Sequence, residues 1–244
     1  MNALVTGGTK GIGFAIAEAM LAAGGKVMIT GRDDGRVKQA LMALAKSAAP
    51  GAAVIGAAVD VRNRGGLEAA IDRAAATFGA FDTLINNAGV GVFTDVEDMT
   101  DDQWHQVIDT NLTGAFYATR AAIPHLKRAG GGWIINIASL AGRNYFASAA
   151  AYCASKAGLV AFSEAVMLEV RNDNIRVSCV MPGSVATEFS HPQISKSGPG
   201  AAAATPDESW KLTAEDIAEV VMDLLRHPKR SLPSKVEIRP SKTK

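Results

Sequence analysis

Leu4-Val5-Thr6-Gly7-Gly8-Thr9-Lys10-Gly11-Ile12-Gly13 reads as a short apolar strand that runs through a glycine-rich turn into a helix. Strand before and helix after are the context that turns a glycine pattern into a nucleotide-binding expectation. Glycines let the backbone turn tightly and approach a pyrophosphate, which then rests on the helix N-terminus. The spacing is T-G-x-x-x-G-x-G, not the G-x-G-x-x-G of the most familiar dinucleotide sites. Taken alone, the stretch also fits a purely structural strand-to-helix turn.

Outward from that turn, the same rhythm repeats. Apolar, β-branched runs at 2–6, 26–30, 53–60, 83–87, 132–139, 176–182 and 235–239 predict seven strands. Most are apolar on both faces, as in a parallel sheet covered on both sides. Amphipathic segments at 11–23, 34–47, 66–78, 100–129, 148–171 and 213–226 predict the helices between them. Thr100 and Gln103 stand at capping-box spacing, and Thr213 caps a stripe of Ile217, Val220, Val221, Leu224 and Leu225. Repeated βα units with right-handed crossovers give a doubly wound α/β sheet of Rossmann type with helices on both faces. No linker divides the 244 residues, so a single domain over 1–244 is expected. The segment 188–211 breaks the rhythm with Ser, Pro, Gly and the run Ala201-Ala202-Ala203-Ala204. A connection of that length after a strand's carboxyl end is read as a substrate loop, with an unstructured connection as the alternative.

Composition narrows the function. Hydrophobic residues make up 48% of the chain and charged residues 20%, with a formal net charge of +1. Neither nucleic acid nor an anionic membrane is implied as a partner. There is no signal-peptide pattern and no run of about 18 apolar residues, which points to the cytoplasm. Cys153 and Cys179 lack metal spacing and read as reduced, buried small residues. His105, His125, His191 and His227 are scattered and read as surface or loop residues.

Cofactor preference should be written at the end of the second strand, in Ile29-Thr30-Gly31-Arg32-Asp33-Asp34. An acid there would hold a ribose 2′-hydroxyl, and an arginine would take a 2′-phosphate. The first side chain past the strand is Arg32, so NADP(H) is expected over NAD(H), with NAD(H) possible. Lys10 could add a second positive charge near that phosphate, while Asp33 and Asp34 better suit the cap of the following helix. Both cations could also be merely solvated.

Chemistry is expected at Ala151-Tyr152-Cys153-Ala154-Ser155-Lys156. Tyr152 and Lys156, four apart on a helix, share a face. An ammonium there can lower the phenol pKa and make Tyr152 usable as an acid or base near neutral pH. Ser139 ends the preceding strand, and Asn111 sits in Thr110-Asn111-Leu112-Thr113-Gly114. Singly, these could be a strand-end hydroxyl, a polar kink in a helix and a core aromatic.

Together the elements resemble the short-chain dehydrogenase/reductase family, in its branch of about 250 residues built as one Rossmann domain. The resemblance runs from Val5 to Thr187, through Thr6-Gly7-x-x-x-Gly11-Ile12-Gly13, Asp60-Val61, Asn86-Asn87-Ala88-Gly89, Asn111, Ser139, Tyr152-x-x-x-Lys156 and Pro182-Gly183 with Thr187. It implies that Tyr152 protonates a carbonyl oxygen or deprotonates the alcohol. Lys156 would lower the Tyr152 pKa and bond the nicotinamide ribose, Ser139 would hold the carbonyl, and Asn111 would hold a water of a proton relay. Gly7, Thr9, Lys10, Gly11, Ile12 and Gly13 would cradle the cofactor phosphates. Asp60 and Val61 would meet the adenine, Asn87, Ala88 and Gly89 the adenosine side, and Pro182, Gly183, Val185 and Thr187 the nicotinamide.

The resemblance further implies an oxidoreductase acting on a small carbonyl or alcohol substrate, assembled as a homodimer or homotetramer through helices 100–129 and 148–171. Phe116, Leu159, Phe162, Val166 and Met167 could serve that face or the core. A 3-oxoacyl-thioester reductase and a reductase of small ketones, sugars or polyols compete as activities. The ending Leu232-Pro233-Ser234-Lys235-Val236-Glu237-Ile238-Arg239-Pro240 departs from the usual oxoacyl-reductase terminus. An NAD-linked alcohol or polyol dehydrogenase and a non-catalytic NADP-binding sensor or scaffold are the other readings. Arg143 could meet an anionic substrate or lie at the surface.

Overall fold

A computed structural model of the chain describes residues 1–190 and 208–242. Seven strands, β1 (Asn2–Val5), β2 (Lys26–Gly31), β3 (Ala53–Ala58), β4 (Thr83–Asn86), β5 (Gly132–Ile137), β6 (Ile175–Pro182) and β7 (Lys235–Ile238), form one sheet in the order β3-β2-β1-β4-β5-β6-β7. All six pairings are parallel. Each strand lies within a residue or two of its predicted run. Parallel neighbours demand crossovers, and helices supply them: α1 (Gly11–Ala22), α2 (Asp34–Leu44), α3 (Arg64–Phe78), α4 (Asp101–Ile108), α5 (Gly114–Arg128), α6 (Ala150–Val170) and α7 (Ala214–Arg226).

Ile16, Met20 and Leu21 of α1, Leu44 of α2 and Ile217, Val221 and Leu224 of α7 cover one face of the sheet. Leu67 and Ile71 of α3, Leu126 of α5 and Val166 of α6 cover the other. The α7 stripe therefore works as its period foretold, with Ile217 and Val221 fully buried at about 1.5–3 kcal/mol per side chain. Its start is fixed by a capping box between Thr213 and Asp216, and α4 begins with the expected box between Thr100 and Gln103. Leu159 and Val166 belong to the core, whereas Phe116 is 39% exposed. Cys153 and Cys179 are free and buried. No helix of the described residues is long and apolar enough to cross a membrane.

One predicted helix is broken. The segment expected as a single helix over 100–129 is α4 and α5 joined by a π turn at Asp109–Thr113. Asn111 sits in that wide turn, and its amide is held from outside: Nδ2 donates to the Val90 carbonyl and to Ser155 Oγ, both at 2.9 Å, and Oδ1 accepts from the Val90 N–H at 2.8 Å. Single π turns inside helices recur at functional sites. Of the predicted loop at 188–211, residues 191–207 lie outside the described residues, as does His191. The strand order reverses between β1 and β4, and ligands of open α/β sheets bind beyond the carboxyl ends of strands at such a reversal.

Candidate active site

The β1 and β4 ends are tied together by hydrogen bonds. Thr6 Oγ1 accepts from the N–H groups of Asn87 and Ala88 at 3.0 and 3.1 Å, and Asn87 Nδ2 donates to the carbonyls of Thr6 and Gly7. Two glycines meet real conformational demands there. Gly7 and Gly11 lie at φ +66° and +55°, in the left-handed region that favours glycine. Gly13 has a different task. A Cβ on it would fall 2.4 Å from Asn87 Nδ2 and 2.5 Å from the Gly7 carbonyl oxygen, so its lack of a side chain lets α1 press against the turn. α1, like α5 and α6, opens without any capping side chain and without an acid in its first turn, whereas α2, α3, α4 and α7 are capped by side chains. Its first N–H groups are thus left for an anion.

A cleft of about 1000 Å³ opens on this turn. Gly7, Thr9, Lys10, Gly11, Ile12, Arg32, Asp60, Val61, Asn87, Ala88 and Gly89 line it at one side. Ser139, Tyr152, Lys156, Pro182, Gly183, Val185 and Thr187 line it at the other. Gly13 and Asn111, both expected at the site, do not line it. The first is a packing contact, and the second acts from behind by pinning Val90. Thr187 reaches back to the glycine turn, 3.6 Å from where a Gly11 Cβ would stand.

Polar groups at the adenosine end divide into held and free. Asp60 accepts from the Arg62 guanidinium at 2.7–3.1 Å, and this bond holds its carboxyl below the usual carboxylate range. Asp33 caps α2 by accepting from the Arg36 N–H at 2.7 Å, and Asp34 pairs with Lys38. Arg32 makes no hydrogen bond or ion pair among the described residues, and neither does the guanidinium of Arg36, which lines the cleft one turn into α2. Lys10, which lines the cleft from the glycine turn, is paired with Glu188. A carboxylate thus already answers its charge.

At the far end, Ser139, Tyr152 and Lys156 converge. Ser139 leaves β5 in extended backbone and caps the short turn Leu140–Gly142. That turn sits against α6 because a Gly142 Cβ would lie 2.9 Å from the Lys156 carbonyl. Lys156 is buried, donates to the Ile137 carbonyl at 2.9 Å and stands 5.8 Å from the Tyr152 ring centre. Burial pushes the Lys156 ammonium down to about 8. Burial likewise pushes the Tyr152 phenol up, and a hydrogen bond with Ser139 pulls it partly back.

The sequence of residues 1–198 matches the family of short chain dehydrogenases. The chain belongs to that family. An uncharacterised oxidoreductase of Staphylococcus aureus (strain N315) is 31% identical over 238 residues, 98% of this chain and 96% of its own length. The 3-oxoacyl-[acyl-carrier-protein] reductase of Chlamydia muridarum is 36% identical over 187 residues, 77% of this chain and 75% of its own. A metagenomic short-chain oxidoreductase solved in complex with NADP superposes with a TM-score of 0.81 at 32% identity, covering 99% of this chain and 97% of that one. An alcohol dehydrogenase of the archaeon Thermococcus sibiricus, complexed with 5-hydroxy-NADP, gives 0.85 at 26% identity with the same coverage. This short-chain dehydrogenase is accordingly an NAD(P)-dependent oxidoreductase.

Its cleft holds residues that motif reading passed over. Arg36 lay one turn beyond the cofactor signal, at a helix position where a cation is ordinary. Phe93, Phe146 and Phe189 line the cleft beside Tyr152 from loops with no periodic pattern. Arg143 is placed at the surface, bonded to Glu237 of β7 at 2.7 Å and outside the cleft.

Proposed function

We propose that this dehydrogenase uses NADP(H) to interconvert a carbonyl compound and its alcohol, with Tyr152 as the proton donor and acceptor. The convergence of Ser139, Tyr152 and Lys156 in one cleft with the uncapped N-terminus of α1 carries the reading. The chain's own groups fit the cofactor. The open N–H groups of α1 suit a pyrophosphate, and the unpaired guanidinium groups of Arg32 and Arg36 suit a 2′-phosphate by charge and by planar geometry. Asp60 and Val61 would flank the adenine, and Pro182 to Thr187 the nicotinamide. The bound nicotinamide supplies the hydride. Tyr152 gives its proton to the oxygen of the former C=O bond as the carbon gains the hydride, and takes it back in the oxidation direction. Ser139 holds that oxygen, and Lys156 holds a ribose hydroxyl and keeps positive charge beneath the phenol. Asn111 is a positioning residue, fixing the Val90 segment and α6 through Ser155.

Exposed Trp104, Phe116 and Leu168, on α4, α5 and α6, support assembly into a homodimer or homotetramer through these helices. The substrate is a small-molecule carbonyl or alcohol, met in the cytoplasm.

Fluorescence titration with NADPH and NADH, repeated on Arg32→Ala and Arg36→Ala, tests the reading. Tighter binding of NADPH that each variant weakens about tenfold, with NADH binding unchanged, is the expected result. Equal or NADH-favoured binding would instead point to an NAD-linked alcohol or polyol dehydrogenase. Binding of neither cofactor would point to a non-catalytic role.

A further inference from the structure

We propose that the substrate end of the cleft is built for an aryl carbonyl compound with a neutral or cationic substituent, and that it selects against anionic substrates. The proposal rests on the carbonyl reading above and names its substrate class.

Three rings from three separate segments gather on Tyr152. Phe93 and Phe189 each lie 5.6 Å from the Tyr152 ring, tilted by 56° and 43°. Phe146 stacks on Phe93 at 6.1 Å. Gly91 makes the gathering possible: a Cβ there would stand 2.8 Å from the Phe93 ring and 3.1 Å from that of Phe189. Phe146 and Phe189 remain 52% and 41% exposed, so their faces are open to an occupant of the cleft. Tilted and offset ring pairs gain energy beyond the area they bury, which a saturated group of equal size does not.

Among the described residues, the charges at this end that lack an opposite partner and face the open cleft are carboxylates. Lys156 lies buried beneath Tyr152 with its ammonium on the Ile137 carbonyl, and the cleft-lining Lys211 and, in the glycine turn, Lys10 are paired with Glu208 and Glu188. Asp95 and Asp98 line it with no cationic partner among the described residues. Among the described residues the Asp95 carboxylate is held by the Ser148 hydroxyl at 2.6 Å, from a residue in the left-handed region at φ +58°. Among the described residues the cleft is therefore polarised, with guanidinium groups unpaired at the adenosine end and the carboxylates of Asp95 and Asp98 unpaired by any cation in the same cleft as Tyr152. An anion on the substrate would face like charge, whereas a cation would meet carboxylates and aromatic faces.

A matched ketone series on the whole protein with NADPH tests this: acetophenone, cyclohexyl methyl ketone, 4-(aminomethyl)acetophenone and 4-acetylbenzoate. Rates would be read as kcat/KM, and binding by calorimetry on the protein saturated with NADP⁺. Acetophenone should exceed its saturated counterpart by about threefold or more. The anionic ketone should fall about tenfold or more below acetophenone, and the cationic one should not fall below it. Asp95→Asn with Asp98→Asn should narrow the spread between cationic and anionic ketones, and Gly91→Ala should erase the aryl preference in both readouts. Equal treatment of the saturated ketone, or an anionic ketone handled as well as acetophenone, overturns the proposal while leaving the carbonyl reading in place. NADPH binding with no ketone bound or reduced overturns both.

Discussion

The Lys156 ammonium is spent on the Ile137 carbonyl, 2.9 Å away, while it sits 5.8 Å from the centre of the Tyr152 ring. The bond fastens the middle of α6 to the end of β5, the strand that delivers Ser139. One interaction thus sets the relative position of the three groups to which the proton chemistry is assigned. It also leaves a buried cation whose cost can be measured.

Tyr152→Phe removes the hydroxyl proposed as acid and base, while keeping the ring that packs between Phe93 and Phe189. Turnover should fall at least about a thousandfold, and NADPH affinity should stay within about twofold. Steady-state rates and the fluorescence titration check both halves. A variant that keeps most of its activity removes Tyr152 from the mechanism.

Lys156→Met should make the folded chain more stable at neutral pH and inactive. Burial lowers the folded-state pKa from 10.5 to about 8, so below pH 8 the folded protein carries the whole desolvation cost, about 3 kcal/mol. The unmade bond to Ile137 returns about 1 kcal/mol of this. From about pH 8 to 10.5 the unfolded chain holds more protons than the folded one, so wild-type stability rises with pH relative to the variant. Denaturant titrations at several pH values should show the gap shrinking over that window. A gap that is constant with pH refutes the buried-charge account.

Activity should carry the same titration. If a charged Lys156 is needed, kcat/KM for carbonyl reduction should decline above an apparent pKa near 8, the free-enzyme value. A flat profile to pH 10 would dissociate the ammonium from the chemistry.

Gly13→Ala separates packing from ligand contact. Its Cβ would strike the Gly7 carbonyl oxygen at 2.5 Å, and a backbone atom cannot swing away as the Asn87 amide can. A stability loss of about 1–3 kcal/mol should accompany weaker NADPH binding, because the turn and α1 must part. Thermal unfolding without cofactor shows the first effect directly. An unchanged Tm would place Gly13 at the ligand after all.

Asn111→Asp keeps the acceptor for the Val90 N–H but replaces the donor aimed at the Val90 carbonyl and Ser155 with a second oxygen. Like partial charges in a buried place should cost about 2 kcal/mol or more and lower kcat with little change in cofactor affinity. Asn111→Ala should lose all three bonds, the one from the Val90 N–H included, but without the repulsion, and come out milder. The reverse order would show that Asn111 does not hold the Val90 segment in this way.

Local periodicity announced the seven strands and most helices, because a strand apolar on both faces and a capped amphipathic helix are each specified within about a dozen neighbouring residues. The glycine turn was legible for the same reason: Gly7 and Gly11 meet conformational demands of their own backbone. Side-chain destinations were not. Asn111 bends its helix because its partners, Val90 and Ser155, stand 21 and 44 residues away. Lys10 is neutralised by Glu188, 178 positions later, and Arg143 by Glu237, 94 positions later. Phe93, Phe146 and Phe189 carry no pattern that joins them until the sheet brings their loops to Tyr152. Fold and family thus followed from short-range order in the chain. The charge of the cleft and the shape of its substrate end followed from contacts between distant segments, whose energies depend on distances that no local pattern records.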